Sequence, residues 1–368
     1  MRKVVHLTSV HQRYDARIYL KECLSLSKKY HTYLVVADGH GDEQIGEVNI
    51  LDVGLFLGRK ERVFNATKAI FQKAVTLDAD IYHLHDPELI LLGLKLKRLG
   101  KKVVFDAHED FPKQILTKPY IPLFLRKIIS SLANMGEKIF CSHFNGIVGA
   151  TPFITEKFLK INKNVVNINN FPKIEELQIV ENLHRREFGK ICYIGGITVE
   201  RGIIEIVDAL LLTKHATKLV LAGKFHSQQL EIDIKKMDSW KNVDFVGFVD
   251  RTEIKNLLST AQIGLVTLHP TISYLDSLPV KLFEYMCAGI PVIASDFPLW
   301  REIVEKHKCG ICVDPTKPQE IANAIDYLMN NQDMAQAMGE NGFKAVQTEF
   351  NWSQEEQKLF KFYEKILG

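Results

Sequence analysis

The sequence has no run of about 18 consecutive apolar residues, so nothing in it reads as a membrane-crossing helix. It has no low-complexity tract and no short internal repeat, which excludes collagen-like and coiled-coil readings. Six cysteines among 368 residues lie scattered, mostly in apolar context, which points to a reducing compartment rather than a disulfide framework. Met1 is followed at once by the strand-like run KVVHLTS, with no apolar signal region behind a basic start, and this predicts a cytoplasmic protein. No G-x-G-x-x-G opens either half in the place a dinucleotide fold requires, and no serine sits in a nucleophile elbow. Cys309-Gly-Ile-Cys312 has redox or zinc-knuckle spacing but no second pair, so these two read as small hydrophobes of a buried strand.

What is present is a soluble globular balance, 46% hydrophobic and 25% charged, in a chain long enough for two cores. The net charge of +3 hides an asymmetry. Residues 1–170 carry 25 Lys and Arg against 17 Asp and Glu, and the remainder carries 22 against 27. A basic first half and an acidic second half suggest different partners for each, the basic half facing lipid phosphate or an anionic acceptor. Ordinary surface variation is the alternative.

Short β-rich runs alternate with helical stretches, the pattern of parallel α/β units. Strands are expected at Lys3–Leu7, Thr32–Ala37, Asp80–Leu84, Lys102–Asp106, Gly146–Gly149 and Val165–Ile168, with helices such as Arg17–Lys29, Phe64–Thr76 and Glu88–Leu99 between them. The second half repeats the design with strands at Lys190–Ile194, Lys218–Ala222, Val243–Val246, Ile263–Val266, Pro291–Ala294 and Gly310–Val313. Asn169–Gly189 lacks periodicity and reads as a linker, and Trp352–Leu367 as an amphipathic tail helix. In open parallel sheets ligands bind beyond the strands' C-terminal ends, so the loops there matter most.

The most informative segment is Asp276-Ser-Leu-Pro-Val-Lys-Leu-Phe-Glu284, followed by YMCAGIPVIAS. A loop carboxylate precedes a helix start with Pro279 in its first turn, and Lys281 and Glu284 share one helical face. The helix N-terminus around Leu278, Pro279 and Val280 offers free N–H groups to a phosphate, Lys281 adds a point charge, and Glu284 suits a vicinal diol such as ribose. A surface ion pair between Lys281 and Glu284 is the plain alternative.

The eight-residue spacing of Asp276 and Glu284, and the PVKLFEYMCAGIPVIASD run, resemble retaining glycosyltransferases of family 4. Tyr193-Ile-Gly-Gly196 with Arg201-Gly202, Leu219–Gly223, Val243–Gly247, His83-Leu-His-Asp-Pro-Glu88 and Asp106-Ala-His-Glu109 resemble further motifs of that group. The resemblance implies an α/β protein of GT-B fold, two Rossmann-like doubly wound domains facing a central cleft. Residues 1–170 with the C-terminal helix 351–368 would bind acceptor, and residues 171–350 the nucleotide-sugar donor. By the same resemblance Glu284 holds the donor ribose, Asp276 contacts the transferred sugar, Arg201 grips the diphosphate and His108 reaches the sugar near the reaction centre. Gly195, Gly196 and Gly223 shape the donor loops. Asp276 departs from the family's usual Glu, Gly196 stands where a second basic residue is common, and Ser9–Arg17 replaces a Gly-rich first loop. The implied reaction moves a sugar from a UDP- or GDP-sugar to a hydroxyl of a glycan or lipid-linked acceptor, with retention, without metal or other cofactor, and the product is a surface polysaccharide. Charge growing on the leaving phosphate falls to Arg201, Lys281 and the helix N-terminus. A nucleotide-sugar epimerase of the same fold and an inactive nucleotide-binding scaffold are the rivals.

Three further features carry open readings. Arg13 and Arg17, with His11 and Asp15, follow the first strand: they form a clamp on phosphate or acceptor, or Asp15 caps the next helix and pairs with an arginine. His85, with Glu109, is placed on the acceptor side as pocket lining rather than as a metal ligand, since the short cluster lacks the converging set a metal needs. Tyr120–Phe140 mixes aromatics, leucines and Lys/Arg; it lies on an anionic membrane surface, making the protein peripheral on the inner face, or it is an ordinary helix with its apolar face on the core. No nucleic-acid partner is expected.

Overall fold

Runs of β-branched and aliphatic residues bounded by turn residues become the strands of two sheets in the structure, a computed structural model that describes residues 1–118, 120–179 and 186–368. The chain divides into two units, Met1–Asn170 with Ser353–Gly368, and Phe171–Trp352. The first sheet contains β1 (Lys3–Leu7), β2 (His31–Val36), β3 (Glu43–Ile45), β4 (Val48–Asp52), β5 (Ile81–Leu84), β6 (Lys102–Ala107), β7 (Gly146–Gly149) and β8 (Val165–Asn167). Its order is β3-β4-β2-β1-β5-β6-β7-β8, parallel except for the β3–β4 pair. The second contains β9 (Lys190–Ile194), β10 (Lys218–Ala222), β11 (Val243–Gly247), β12 (Ile263–Val266), β13 (Val292–Ser295) and β14 (Gly310–Val313), all parallel in the order β11-β10-β9-β12-β13-β14. Strand order reverses at β1/β5 in one sheet and at β9/β12 in the other, and such switch points open the crevices in which doubly wound sheets hold ligands.

The central strands are buried on both faces, which is why they read as continuous apolar runs. The edge hairpin β3–β4 was not expected. Glu43-Gln-Ile is short and polar, as an edge strand is, and shows no apolar alternation. The Arg17–Lys29 helix is also irregular: its first turn, Ile18–Cys23, is π-helical. Asp15 caps it, its Oδ1 accepting from the N–H groups of Arg17 (2.8 Å) and Ile18 (2.9 Å).

The linker reading needs correction. Phe171 and Leu177 are buried in the second unit's core, and Ile174–Leu177 forms a helical turn. Residues 180–185 of that segment lie outside the described residues. The tail helix Trp352–Leu367 buries Leu359, Phe360, Tyr363 and Ile366. It seats on the first unit: a Cβ on Gly146 would lie 2.4 Å from the Phe362 ring, and the Tyr363 hydroxyl lies 2.6 Å from His83 Nδ1. All six cysteines are free thiols and five are buried; burial pushes the Cys309 and Cys312 thiols up to about 12.

Candidate active site

The second unit builds its site at the β9/β12 switch point. Gly195 and Gly196 leave the end of β9, and Gly223 leaves the end of β10. Gly223 has φ +147°, and a Cβ there would stand 1.9 Å from the Gly195 carbonyl oxygen, so the two loops approach as closely as backbone allows. Gly202, at φ +69°, starts the next helix under the Thr267 carbonyl, 2.0 Å from where a Cβ would be.

Two cations converge on this turn. The position of a Cβ on Gly195 lies 3.3 Å from Arg201 Nη1 and 3.3 Å from Lys281 Nζ. Lys281 Nζ is buried with no hydrogen-bond partner, and it sits 3.6 Å from the centroid of the Tyr193 ring. Burial, followed by the repulsion of Arg201, pulls the Lys281 ammonium well below its ordinary value, although Glu284 opposes this. Among the described residues neither cation makes an ion pair with a carboxylate. A low-dielectric site that gathers positive charge without an internal counter-charge is suited to an external anion.

Lys281 and Glu284 lie on the Val280–Cys287 helix, all but the first residue of which is buried. They are therefore not a surface pair. Pro279 is the N-cap of this helix, with ψ 121°, rather than a residue of its first turn as expected. The Leu282 N–H donates to the Pro279 carbonyl at 3.0 Å, and the N–H groups before it are those a helix start leaves without intrahelical acceptors. The loop that holds Asp276, Ser277 and Leu278 is pinned by the buried Trp300, whose indole donates to the Ser277 carbonyl at 2.7 Å. Asp276 ends the short Ile272–Leu275 helix and is half-buried.

Three contacts were not anticipated. Arg251 Nη1 donates to Glu284 Oε1 at 2.5 Å, and its Nη2 reaches Glu176 at 3.0 Å. Its only sequence signal is that it follows Asp250, which caps its helix with Glu253 in a capping box after β11. His226 brings Nε2 within 3.0 Å of where a Cβ on Gly196 would be, so a larger residue at 196 would displace it. Tyr193 donates its hydroxyl to the Gly196 carbonyl at 2.9 Å and presents its ring to Lys281.

The first unit builds a pocket of about 760 Å³ at the β1/β5 switch point, lined by His11, His85, Asp86, His108 and Glu109 among others. Asp86 ties the ends of β1 and β5 together, accepting from Thr8 Oγ1 (2.8 Å) and the Ser9 N–H (2.6 Å). Asp106, buried at the end of β6, stands 3.0 Å from His108 Nε2 and 3.3 Å from His85 Nδ1. Burial lowers His85 to about 4 despite the Asp106 carboxylate, so it is neutral near pH 7. His108 is partly exposed to the pocket and Glu109 is exposed.

Arg13 and Arg17 do not reach this pocket. Arg17 is 4% exposed; its Nε and Nη2 each donate to Asp106 at 2.8 Å and its Nη1 donates to the Ile168 carbonyl at 2.8 Å. Arg13 donates to both oxygens of Asp38 (2.8 and 2.7 Å) and to Glu43 at 3.0 Å, joining the loop after β1 to β3. Their donors are spent inside the protein, and the reading of both as an acceptor clamp is replaced by a structural one. His85, Asp106 and His108 also form a group whose ligand atoms lie within 4.8 Å of one another. Arg17 already takes both oxygens of that carboxylate, so its charge is committed to a guanidinium.

Residues 17–171 match the model of Glycosyltransferase Family 4, and residues 175–345 match that of Glycosyl transferases group 1. The chain belongs to the group 1, family 4 glycosyltransferases. Its fold is GT-B, with two parallel-sheet domains. This glycosyltransferase is 24% identical to the D-rhamnosyltransferase WbpZ of Pseudomonas aeruginosa, over 86% of this chain and 80% of that one. Sucrose-phosphate synthase from Thermosynechococcus elongatus superposes with a TM-score of 0.80 at 18% identity, covering 100% of this chain and 99% of that one. HepE from Anabaena, in complex with UDP, superposes with a TM-score of 0.73 at 14% identity, covering 99% and 100%. The chain spans about half the length of several other curated relatives it matches, archaeal and bacterial glycosyltransferases among them.

Lys281 gives this glycosyltransferase a predictable pH response. A lysine whose folded value is depressed holds fewer protons in the folded than in the unfolded state, between that lowered value and the ordinary 10.5. The ligand-free protein therefore gains stability from this group as pH rises through that window. If a nucleoside diphosphate binds beside Lys281 it favours the ammonium, so binding takes up a proton in that window and weakens as pH rises. Calorimetric titrations of UDP in two buffers of different ionisation enthalpy measure that uptake directly.

Proposed function

We propose that this glycosyltransferase transfers a sugar from a nucleoside diphosphate sugar to a hydroxyl acceptor, with retention of configuration and without a metal ion. The observation that carries the reading is the half-buried Arg201 and the buried Lys281, facing the Gly195 turn without a carboxylate partner among the described residues. A departing nucleoside diphosphate gathers negative charge on its β-phosphate. Two fixed cations and the N–H groups at the start of the Val280–Cys287 helix are the means of stabilising it that a metal would otherwise supply. Glu284, with Oε1 held by Arg251, presents its second oxygen to the ribose diol. Asp276 is assigned to the hydroxyls of the transferred sugar. In the first unit His108 is assigned to the reacting sugar, and His85 and Glu109 to the side of the acceptor, a growing glycan or a lipid-linked one. The acceptor attacks from the face the leaving group vacates and gives its proton to a phosphate oxygen, so no glycosyl-enzyme bond forms. A trapped adduct on Asp276 would overturn that step.

The test is a thermal-shift panel of UDP, GDP and their sugars, with and without EDTA, on wild type and Glu284→Ala. A nucleotide at 100 times its dissociation constant stabilises by about 2.7 kcal/mol, a clear shift. UDP leads the panel because HepE was crystallised with it. One base is expected to shift the wild type equally with and without EDTA, and to lose most of its effect in Glu284→Ala. No shift with any nucleotide would overturn the donor site, and a shift abolished by EDTA would overturn the metal-free reading.

A further inference from the structure

The Leu123–Cys141 helix turns its apolar face away from the core. Phe124, Ile128, Leu132, Met135 and Ile139 recur at intervals of three and four residues and so form one stripe. They are 74%, 54%, 57%, 53% and 51% exposed, whereas the helix's buried residues are Glu137 and Cys141. This is the reverse of the ordinary core-facing arrangement. It leaves a row of large apolar side chains in water along a 19-residue helix. Scattered exposed apolar residues need no explanation, but a contiguous row with a charged margin does.

The margin is basic. On a helical wheel Lys127 and Lys138 fall together on one flank of the stripe. That flank borders a groove of about 870 Å³, which Lys113, Lys157 and Lys160 also line, with Ser130, Ser131 and Asn134. Lys157 is answered by Asp110 (2.8 Å) and Glu137 (2.6 Å), and Lys113 lies over the Phe153 ring. Lys127, Lys138 and Lys160 are exposed and make no ion pair among the described residues. Residues 111–161 carry seven Lys and Arg against two Glu. A second copy of the chain on this face would set one lysine row near another, whereas an anionic surface complements it.

We propose that this face docks in plane on an anionic phospholipid surface, the stripe entering the headgroup–acyl boundary and the lysine groove receiving lipid phosphates. No helix among the described residues is long and apolar enough to cross a membrane, so attachment here is interfacial. Both halves of the device are needed: the apolar row supplies contact area and the lysines supply selectivity for negative lipid. The proposal does not depend on the donor site.

The experiment is co-sedimentation of the full chain with vesicles of phosphatidylcholine alone and of phosphatidylcholine with phosphatidylglycerol. Wild type should pellet with the anionic vesicles at least tenfold more than with the neutral ones, and lose that binding at about 0.5 M salt, where charge attraction is screened. Ile128→Glu/Leu132→Glu should lose at least tenfold with its melting temperature and its thermal response to UDP unchanged, since both positions are more than half exposed. If that variant melts early, Lys127→Glu/Lys138→Glu, at exposed polar positions, decides in its place. Wild type that stays in solution with anionic vesicles overturns the proposal. So does an intact variant that pellets like wild type, or a wild-type dimer that the variant dissolves without any vesicle binding, which would make the face an interface between copies.

Discussion

Lys281→Met is expected to lower kcat by roughly 10²–10³, the usual cost of removing one preorganised charge from a developing oxyanion. The ligand-free protein should meanwhile melt no earlier than wild type. The two effects have one cause. In the ligand-free state the ammonium is buried without a hydrogen-bond partner, and Arg201 repels it. Methionine keeps the stem packed beneath Tyr193 and removes the unmet charge, so the melting temperature is expected to hold or to rise by a few degrees, about 2–4 °C for each kcal/mol gained. Sugar-nucleotide turnover and calorimetry of the same preparation measure both. Unchanged turnover would remove Lys281 from the phosphate site. A steep drop in melting temperature would show that the ammonium is structural and would leave the catalytic assignment unsupported.

The turn and helix of the second unit's candidate site were legible from sequence to a degree the first unit's pocket was not, and the reason is local. Asp276, Pro279, Lys281 and Glu284 lie within nine residues on one loop and one helix, so their grouping follows from helical spacing. Gly195, Gly202 and Gly223 mark turns where positive φ or a close backbone approach leaves no room for a side chain. Arg251 was not legible, because it meets Glu284 across 33 positions of sequence. The same holds for Arg17 and Asp106, 89 positions apart: a loop arginine near a switch point looks like a ligand clamp until its carboxylate partner is known. The Tyr120–Phe140 segment shows a further limit. Composition marked a segment of mixed apolar and basic residues but not which way an apolar face would point, and the structure turns that face outward. The polar edge strand β3 has no apolar pattern to find, and its hairpin shows only as the Gly46 turn.

Arg17→Met is expected to destabilise the first unit by about 3–5 kcal/mol, because it strands the buried Asp106 carboxylate without its guanidinium. At about 2–4 °C per kcal/mol this is a fall of roughly 6–20 °C in the first unit's melting transition. Burial alone would raise the Asp106 carboxyl, and Arg17 is the leading influence that holds it well below its ordinary value. In wild type that depressed value contributes stability above the carboxyl's unfolded value, and the contribution is lost as pH falls through the folded one. In the variant the guanidinium's share of that contribution is absent and His108 and His85 are left to lower the carboxyl, so the gap between variant and wild type narrows as pH falls. Glu22 does not replace Arg17: burial and the Asp106 charge raise its carboxyl well above the usual range, and a carboxyl brings no positive charge in either form. The double variant Arg17→Met/Asp106→Asn removes both charges together and should melt higher than Arg17→Met alone, a coupling that additive effects forbid. A clamp on the acceptor would behave otherwise, with turnover falling, the melting temperature unmoved and no rescue by the added Asp106→Asn change. Calorimetric scans of the three proteins at two pH values separate the readings, and an unmoved transition in Arg17→Met would return this arginine to the acceptor side.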